Sequence, residues 1–528
     1  MQLKQAISLD KLHLLNPLVN DYLNGKEGLD HLFTYKPKIE EIANVINAKK
    51  DFPFREILHQ ALEHQYADFS LSVNTKNNLD ALLQTSTYTV CTAHQLCLFT
   101  GPSYFIYKIL SAIKLAGDLN KKYPEQTFVP VYWMGSEDHD FDEINHTHVY
   151  GKTLKWQNED KGAVGRHSLT GFDKIIEEFE EILGTHDAAQ EFIARIKNHF
   201  IHAANYGSGF QSWILDIFSD YGLLVINQDD AQLKSCIKSI IQDELLNQST
   251  QYALKTNAQF LAEQYHNQAA ARPINLFYLK NKLRERIERE DNVWKVVGTN
   301  VSLDKAKLLR ELNDHPENFS PNVFLRPLYQ ESVLPNVAFI GGPGEVAYWL
   351  QLKDVFNHFK VVQPLILLRD MAIVLPENHF KKLAHWHISI EEMFAHYDEI
   401  AKDFVHRFSN NALNLNVEKN AIAAIFEKVK VKAIEVDPNM GRSAEAELQK
   451  IFNSLANLES KLIRAEKRNY EQQLSQLENI QLKLLPNKVL QERYDNFAPV
   501  YLKNPDSYFE TLLESFNPFD QALKVYQT

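Results

Sequence analysis

The stretch that decides the fold is "TYTVCTAHQLCLFTGPSYFIYKILSAIKLAGDL", Thr87 to Leu119. It opens as a β-branched and aromatic run, passes a polar His94-Gln95 pair and a Gly101-Pro102 turn, and continues with apolar residues three and four apart. That change of period marks a strand running into a helix. "TFVPVYWMGS", Thr127 to Ser136, follows as a nearly unbroken apolar run. A strand with no polar alternation must be covered on both faces, as in a parallel sheet between helices. Residues 86 to 136 therefore read as one βαβ unit.

Working outward, "GLLVINQ" (222–228), "NVAFIGG" (336–342) and "VVQPLILLRD" (361–370) supply further buried strands, and "PGEVAYWLQLKDVF" a second strand-to-helix passage. Residues 1–80 read as mostly helical, from the spacing in "REILHQALEHQY". Residues 151–330 read as insertions on the core, with a hairpin in "INLFYLKNKLRERIERE" and "VWKVVGT". The fold class is α/β, a doubly wound parallel sheet spanning residues 1–390.

Residues 391–486 carry almost no strand signal. Leu448, Ile451, Leu455, Leu458, Leu462 and Ala465 alternate steps of three and four, the seam of a coiled coil. The phase slips before Tyr470, Leu474 and Leu477, and Pro486 ends the last helix. At least two long antiparallel helices are expected. Residues 487–528, rich in aromatics and prolines, are expected to pack back on the core.

The 528 residues carry 56 basic and 68 acidic side chains, a net charge of −12, which argues against nucleic acid or an anionic membrane as partner. No apolar run reaches the ~20 residues of a membrane span, and no secretory h-region follows the first residues. Three cysteines, Cys91, Cys97 and Cys236, form neither a disulfide framework nor a zinc spacing. A cytoplasmic protein is expected, with Cys91 and Cys97 as packing residues.

Three polar clusters end strands, where α/β sheets bind ligands. The first is His94-Gln95 with Gly101-Pro102-Ser103; Gly lets backbone approach a ligand, and a helix N-terminus attracts anions. An ordinary capped turn explains it equally well. The second is "GSEDHDFDEINHTH", in which Glu137, Asp138, His139 and Asp140 cannot all face water. Binding of amines or acid-base work is preferred there over a metal on His139, Asp140, His146 and His148, whose spacing fits no helix pair. The third is "FIGGPGEVAYW", where Gly341, Gly342 and Gly344 free the backbone and Glu345 sits in the first turn. It is neither a P-loop nor G-x-G-x-x-G. Asn227 and Asp229, and Arg326 with Gln330, complete the candidates. Arg326 could fork an anion or pair with Glu331.

"HQLCLFTGPSYFIYKI", "VPVYWMGSEDHDFDEINH", "FLRPLYQESVLPNVAFIGGPGEVAYWLQLKDVF" and the late "LQER" together resemble the bacillithiol biosynthesis cysteine-adding enzymes, the BshC family. The resemblance implies a Rossmann-like core with connecting-peptide insertions, similar to class I aminoacyl-tRNA synthetases, and a coiled coil that helps form a homodimer. It implies ligation of L-cysteine to the amine of glucosaminyl-malate, the last step of bacillithiol synthesis; ATP or another nucleotide is the expected activator, and from the residue spacing no metal is expected. His94 falls where such a synthetase carries its nucleotide signature. Here it is a lone histidine rather than an H-I-G-H pair, and no K-M-S-K-S counterpart follows.

On this reading His94, Asp138, His139 and Asp140 are the catalytic candidates, with His94 or His139 as base. Gln95, Gly101, Pro102, Ser103, Glu137, Asn227, Arg326, Gln330, Gly341, Gly342, Gly344 and Glu345 bind substrate or nucleotide. The competing function is a nucleotide-binding hydrolase or transferase on the same fold, possible with or without a metal. An inactive coiled-coil scaffold would have no use for three polar strand ends.

Overall fold

The computed structural model describes residues 1–265 and 270–528. The chain forms two compact units: Met1–Val374 with Glu492–Thr528, and Leu375–Gln491. The breaks fall at 374/375 and 491/492, where strand content had placed them at 390/391 and 486/487.

The first unit is built on five parallel strands: β1 (Thr87–His94), β2 (Thr127–Met134), β3 (Leu224–Asn227), β4 (Asn336–Gly341) and β5 (Leu365–Leu368). Their spatial order is β5-β4-β1-β2-β3, every neighbouring pair parallel. This is the Rossmann order, and it reverses between β1 and β4. The register sets His94 level with Met134 and Asn227, and Gly341 level with Leu368, so the polar strand ends meet at one edge. The strands are almost wholly buried, as continuous apolar runs require.

Four helices carry residues to that edge: α1 (Tyr104–Lys122), α2 (Ala231–Ser235), α3 (Arg326–Val333) and α4 (Pro343–Trp349). The insertion contains a five-stranded sheet that includes the expected hairpin, Leu276–Lys280 against Leu283–Glu290. Asn281 takes a left-handed φ of 54° at its tip, the conformation a two-residue hairpin turn demands.

The N-terminal reading needs a correction. Helices do form within residues 17–81, but Gln2–Ser8 is a strand. It pairs antiparallel with Ala522–Gln527, which also neighbours Met371–Leu375. Its partner lies at the other end of the chain, so local periodicity carries no trace of it.

In the second unit α5 (Asn416–Val436) and α6 (Met440–Asn469) form an antiparallel hairpin. Ion pairs Lys430–Glu445 and Lys419–Glu459 step in opposite directions along the two helices. The phase slip is a physical break: α6 stops at Asn469, and α7 (Glu471–Leu484) starts after Tyr470. α7 ends two residues before Pro486.

Candidate active site

A cavity of about 690 Å³ opens at the carboxyl edge of the parallel sheet, where the strand order reverses. His94, Gln95, Asp138, His139, Arg326, Gln330, Gly342, Gly344 and Glu345 line it, so residues from all three strand-end clusters meet.

Asp138 is the hub. Its Oδ2 accepts from Arg326 Nη1 at 2.9 Å and from Gln95 Nε2 at 3.1 Å, and Oδ1 accepts from the His139 N–H at 2.8 Å. Burial alone would raise its proton affinity. Arg326, the His139 hydrogen bond and Arg284 outweigh that and hold the carboxyl far below the usual carboxylate range. Arg326 therefore pairs with Asp138 through Nη1 alone, its Nε donating to the Pro321 carbonyl at 3.3 Å, while Glu331 pairs with Lys49 at 2.7 Å.

His94 closes β1. Its carbonyl accepts from the Gly135 N–H at 2.8 Å and the Tyr132 hydroxyl at 3.0 Å. Its Nε2 lies 3.1 Å from the Tyr104 hydroxyl. Burial, with the charges of Lys108, Arg369 and Arg493, drives its proton affinity well below that of free imidazole. An imidazole titrating near neutral pH was expected here, and burial, with the surrounding cations, lowers its proton affinity instead. The His139 Nδ1 lies 2.6 Å from Arg284 Nη1 and is engaged as an acceptor.

Several candidates stand off the cavity wall. Glu137 is fully buried and ion-paired with the equally buried Lys234 of α2. Asp140 is exposed at the start of the short helix Phe141–Ile144. Asn227 accepts from Ser136 Oγ at 2.5 Å, and Gln65 engages its main chain. The Gly101-Pro102-Ser103 turn is closed by the return segment. The Ser103 N–H and Oγ donate to the Asp495 carbonyl at 2.8 and 2.6 Å, and Asn496 donates to the Gly101 carbonyl at 2.7 Å. Gly341 spends its carbonyl on the Arg369 N–H at 2.8 Å.

At the third cluster Glu345 turns back to accept from the Gly342 N–H at 2.7 Å. The same carboxylate takes Lys108 Nζ at 2.6 and 2.8 Å, and Lys108 also donates to the Ala93 carbonyl. Lys108 thus ties β1 to the turn after β4, across the point where strand order reverses.

What sequence reasoning missed is the arginines other than Arg326. Among the described residues Arg272, Arg284, Arg326, Arg369 and Arg493 line the cavity, against two carboxylates, Asp138 and Glu345. Arg284 is brought in by the insertion hairpin, lies 3.9 Å over the Phe277 ring and is pulled down to about 10 by burial and by Arg326. Arg369 is buried, donates to Glu492 at 2.6 Å and lies 5.2 Å over the Tyr104 ring, which Arg493 also faces at 5.8 Å. Two signals were present: the charged "RD" that ends an otherwise apolar fifth strand, and a lysine on the buried face of α1.

No group of three or more His, Cys, Asp or Glu that could hold a metal ion occurs among the described residues. His148 stacks on Tyr494 instead, with centroids 3.9 Å apart. Burial pushes the Cys97 thiol up to about 12 and the Cys91 thiol well above its ordinary value, so neither is a thiolate at neutral pH. Among the described residues no helix is long and apolar enough to cross a membrane.

Residues 1–370 match the family described as bacillithiol biosynthesis BshC, N-terminal Rossmann-like domain, and residues 372–528 match the BshC C-terminal coiled-coil domain. A protein of Flavobacterium johnsoniae is 35% identical over 98% of this chain and 99% of its own length. One of Christiangramia forsetii is 36% identical over 98% of each, and one of Bacillus pumilus 28% identical over 97% and 98%. Each carries the provisional name cysteine ligase BshC.

Proposed function

Because this chain belongs to the bacillithiol biosynthesis BshC family, we propose that it joins the carboxylate of L-cysteine to the amine of glucosaminyl-malate, the last step of bacillithiol synthesis. The observation that carries the reading is the arginine-lined cavity at the strand-order reversal, in a chain of net charge −12. Malate carboxylates, the cysteine carboxylate and nucleotide phosphates are all anions that guanidinium forks match.

ATP or another nucleotide is the proposed source of activation for the cysteine carboxylate, and Arg326, Arg369 and Arg493 have the charge and donors its phosphates require. The sugar amine must arrive unprotonated. Neither Asp138 nor His94 is a strong base: Asp138 is firmly ionised, and burial with the neighbouring cations lowers the proton affinity of His94. The arginines do this work collectively, since like charge disfavours an ammonium beside them. Asp138, held by Arg326, Gln95 and the His139 N–H, orients the amine as a hydrogen-bond acceptor.

The second unit fits a homodimer. Val417, Ile425 and Val436 on α5 are 76, 58 and 86% exposed, a stripe that a second copy would cover. Sedimentation of the full chain should give a dimer, and Ile425→Glu should shift it toward monomer.

A reconstituted reaction with cysteine, glucosaminyl-malate and a panel of nucleotides tests the chemistry, following both the thiol product and the nucleotide. Asp138→Asn and His94→Ala should each lose turnover by about 100-fold. Near-wild-type turnover in both, with normal folding, would overturn the assignment.

A further inference from the structure

A second chamber of about 310 Å³ adjoins the main cavity and shares Gln95, Tyr104 and Arg493 with it. Its far side is made by the strand His146–Val149, by Pro102 at the head of α1 and by Tyr494 of the return segment. Two charged side chains face it, Glu143 and Arg493.

Neither charge is spent inside the protein. Glu143 accepts from Gln95 Nε2 at 2.9 Å and, among the described residues, has no cation in ion-pair range. Arg493 lies over the Tyr104 ring and, among the described residues, meets no carboxylate; Glu492 beside it is taken by Arg369. The remaining walls carry no Asp, Glu, Lys or Arg. His148 is stacked on Tyr494 with its Nδ1 2.9 Å from the Thr153 hydroxyl, and burial beside His146 lowers its proton affinity.

We propose that this chamber is a subsite for a small zwitterionic amino acid, with the ligand ammonium on Glu143 and its carboxylate on Arg493. That the amino acid is L-cysteine rests on the ligase reading above. Opposite charges left unpaired in a partly enclosed space favour a ligand that carries both. The volume suits an amino acid, and the larger cavity suits a dicarboxylated sugar. Arg493 stands on the shared wall. The carboxylate therefore lies at the junction, where an amine held in the main cavity reaches it, and the thiol points into the chamber.

Glu143→Gln is the test, since the side chain is exposed and the change is isosteric. In the reconstituted reaction it should raise KM for L-cysteine at least tenfold and leave KM for glucosaminyl-malate unchanged. Calorimetric titration of the full chain should show L-cysteine bound more tightly than 3-mercaptopropionate, which lacks the ammonium, and the variant should lose that preference. If the wild type ligates and the variant keeps its KM for cysteine, the chamber is overturned and the ligase reading stands. If the wild type ligates with no nucleotide in the panel, yet binds L-cysteine in a Glu143-dependent way, the chamber stands and the ligase reading falls. Equal L-cysteine affinity in wild type and variant overturns the chamber in either case.

Discussion

The turn after β1 and the turn after β4 share a design, a buried parallel strand followed by Gly-Pro at the head of a helix, but they are held in different ways. In the first, Phe99, Thr100 and Gly101 all take left-handed φ values, 48°, 70° and 63°. The return segment over-determines that strained run: Asn496 donates to the Phe99 and Gly101 carbonyls at 2.8 and 2.7 Å, and Asp495 takes Ser103. In the second, Glu345 caps Gly342 and is neutralised by the buried Lys108. One turn rests on neutral hydrogen bonds, the other on a charge. In each, a donor that a cradle would offer to an anion, the Ser103 or the Gly342 N–H, is already taken. The guanidinium groups reach the same crevice from the insertion, α3, the end of β5 and the return segment, and on the proposed reading they take over recognition of anions.

The contrast can be broken by mutation. Lys108→Ala leaves Glu345 short of its cation and should cost about 3 kcal/mol or more, read as a shift in urea midpoint at constant m. A loss no larger than that of Ser103→Ala would show that both turns are held alike. Arg326→Ala should lower kcat/KM by about 100-fold, with Arg326→Lys recovering only part because a lysine cannot fork. Full activity in Arg326→Ala would return the anion to the turns.

The Asp138 carboxyl is held below its unfolded value, so its contribution to stability is complete at neutral pH. That contribution is lost as pH falls through about 5 and below. Urea midpoints measured from pH 7 to pH 3 should fall less steeply for Asp138→Asn than for the wild type. An unchanged acid limb would break the link between Asp138 and its arginines. Ser103→Ala should have the smallest effect, about 1 kcal/mol, from the loss of one hydroxyl bond to Asp495.

Much of this protein could be read from local pattern. The continuous apolar runs at 127–134, 336–341 and 365–368 required a sheet buried on both faces, and the three-and-four spacing of 448–465 required a long helix with one apolar seam. The expectation of a cavity at the carboxyl ends of the parallel strands came from the same pattern. Those are short-range signals, set by which faces must leave water.

Side-chain identities at the site were a different matter. Asp138 found Arg326 and Glu137 found Lys234 through pairings of high sequence separation. Thus one of two adjacent acids reached the cavity and the other was buried behind it. Arg369, Arg493 and Arg284 converge only because the sheet order, the return of the C-terminal segment and the insertion hairpin bring them together. Apolar periodicity records which way a face points. The partner of a charge depends on what the rest of the chain brings within about 3 Å of it, and only the tertiary structure decides that.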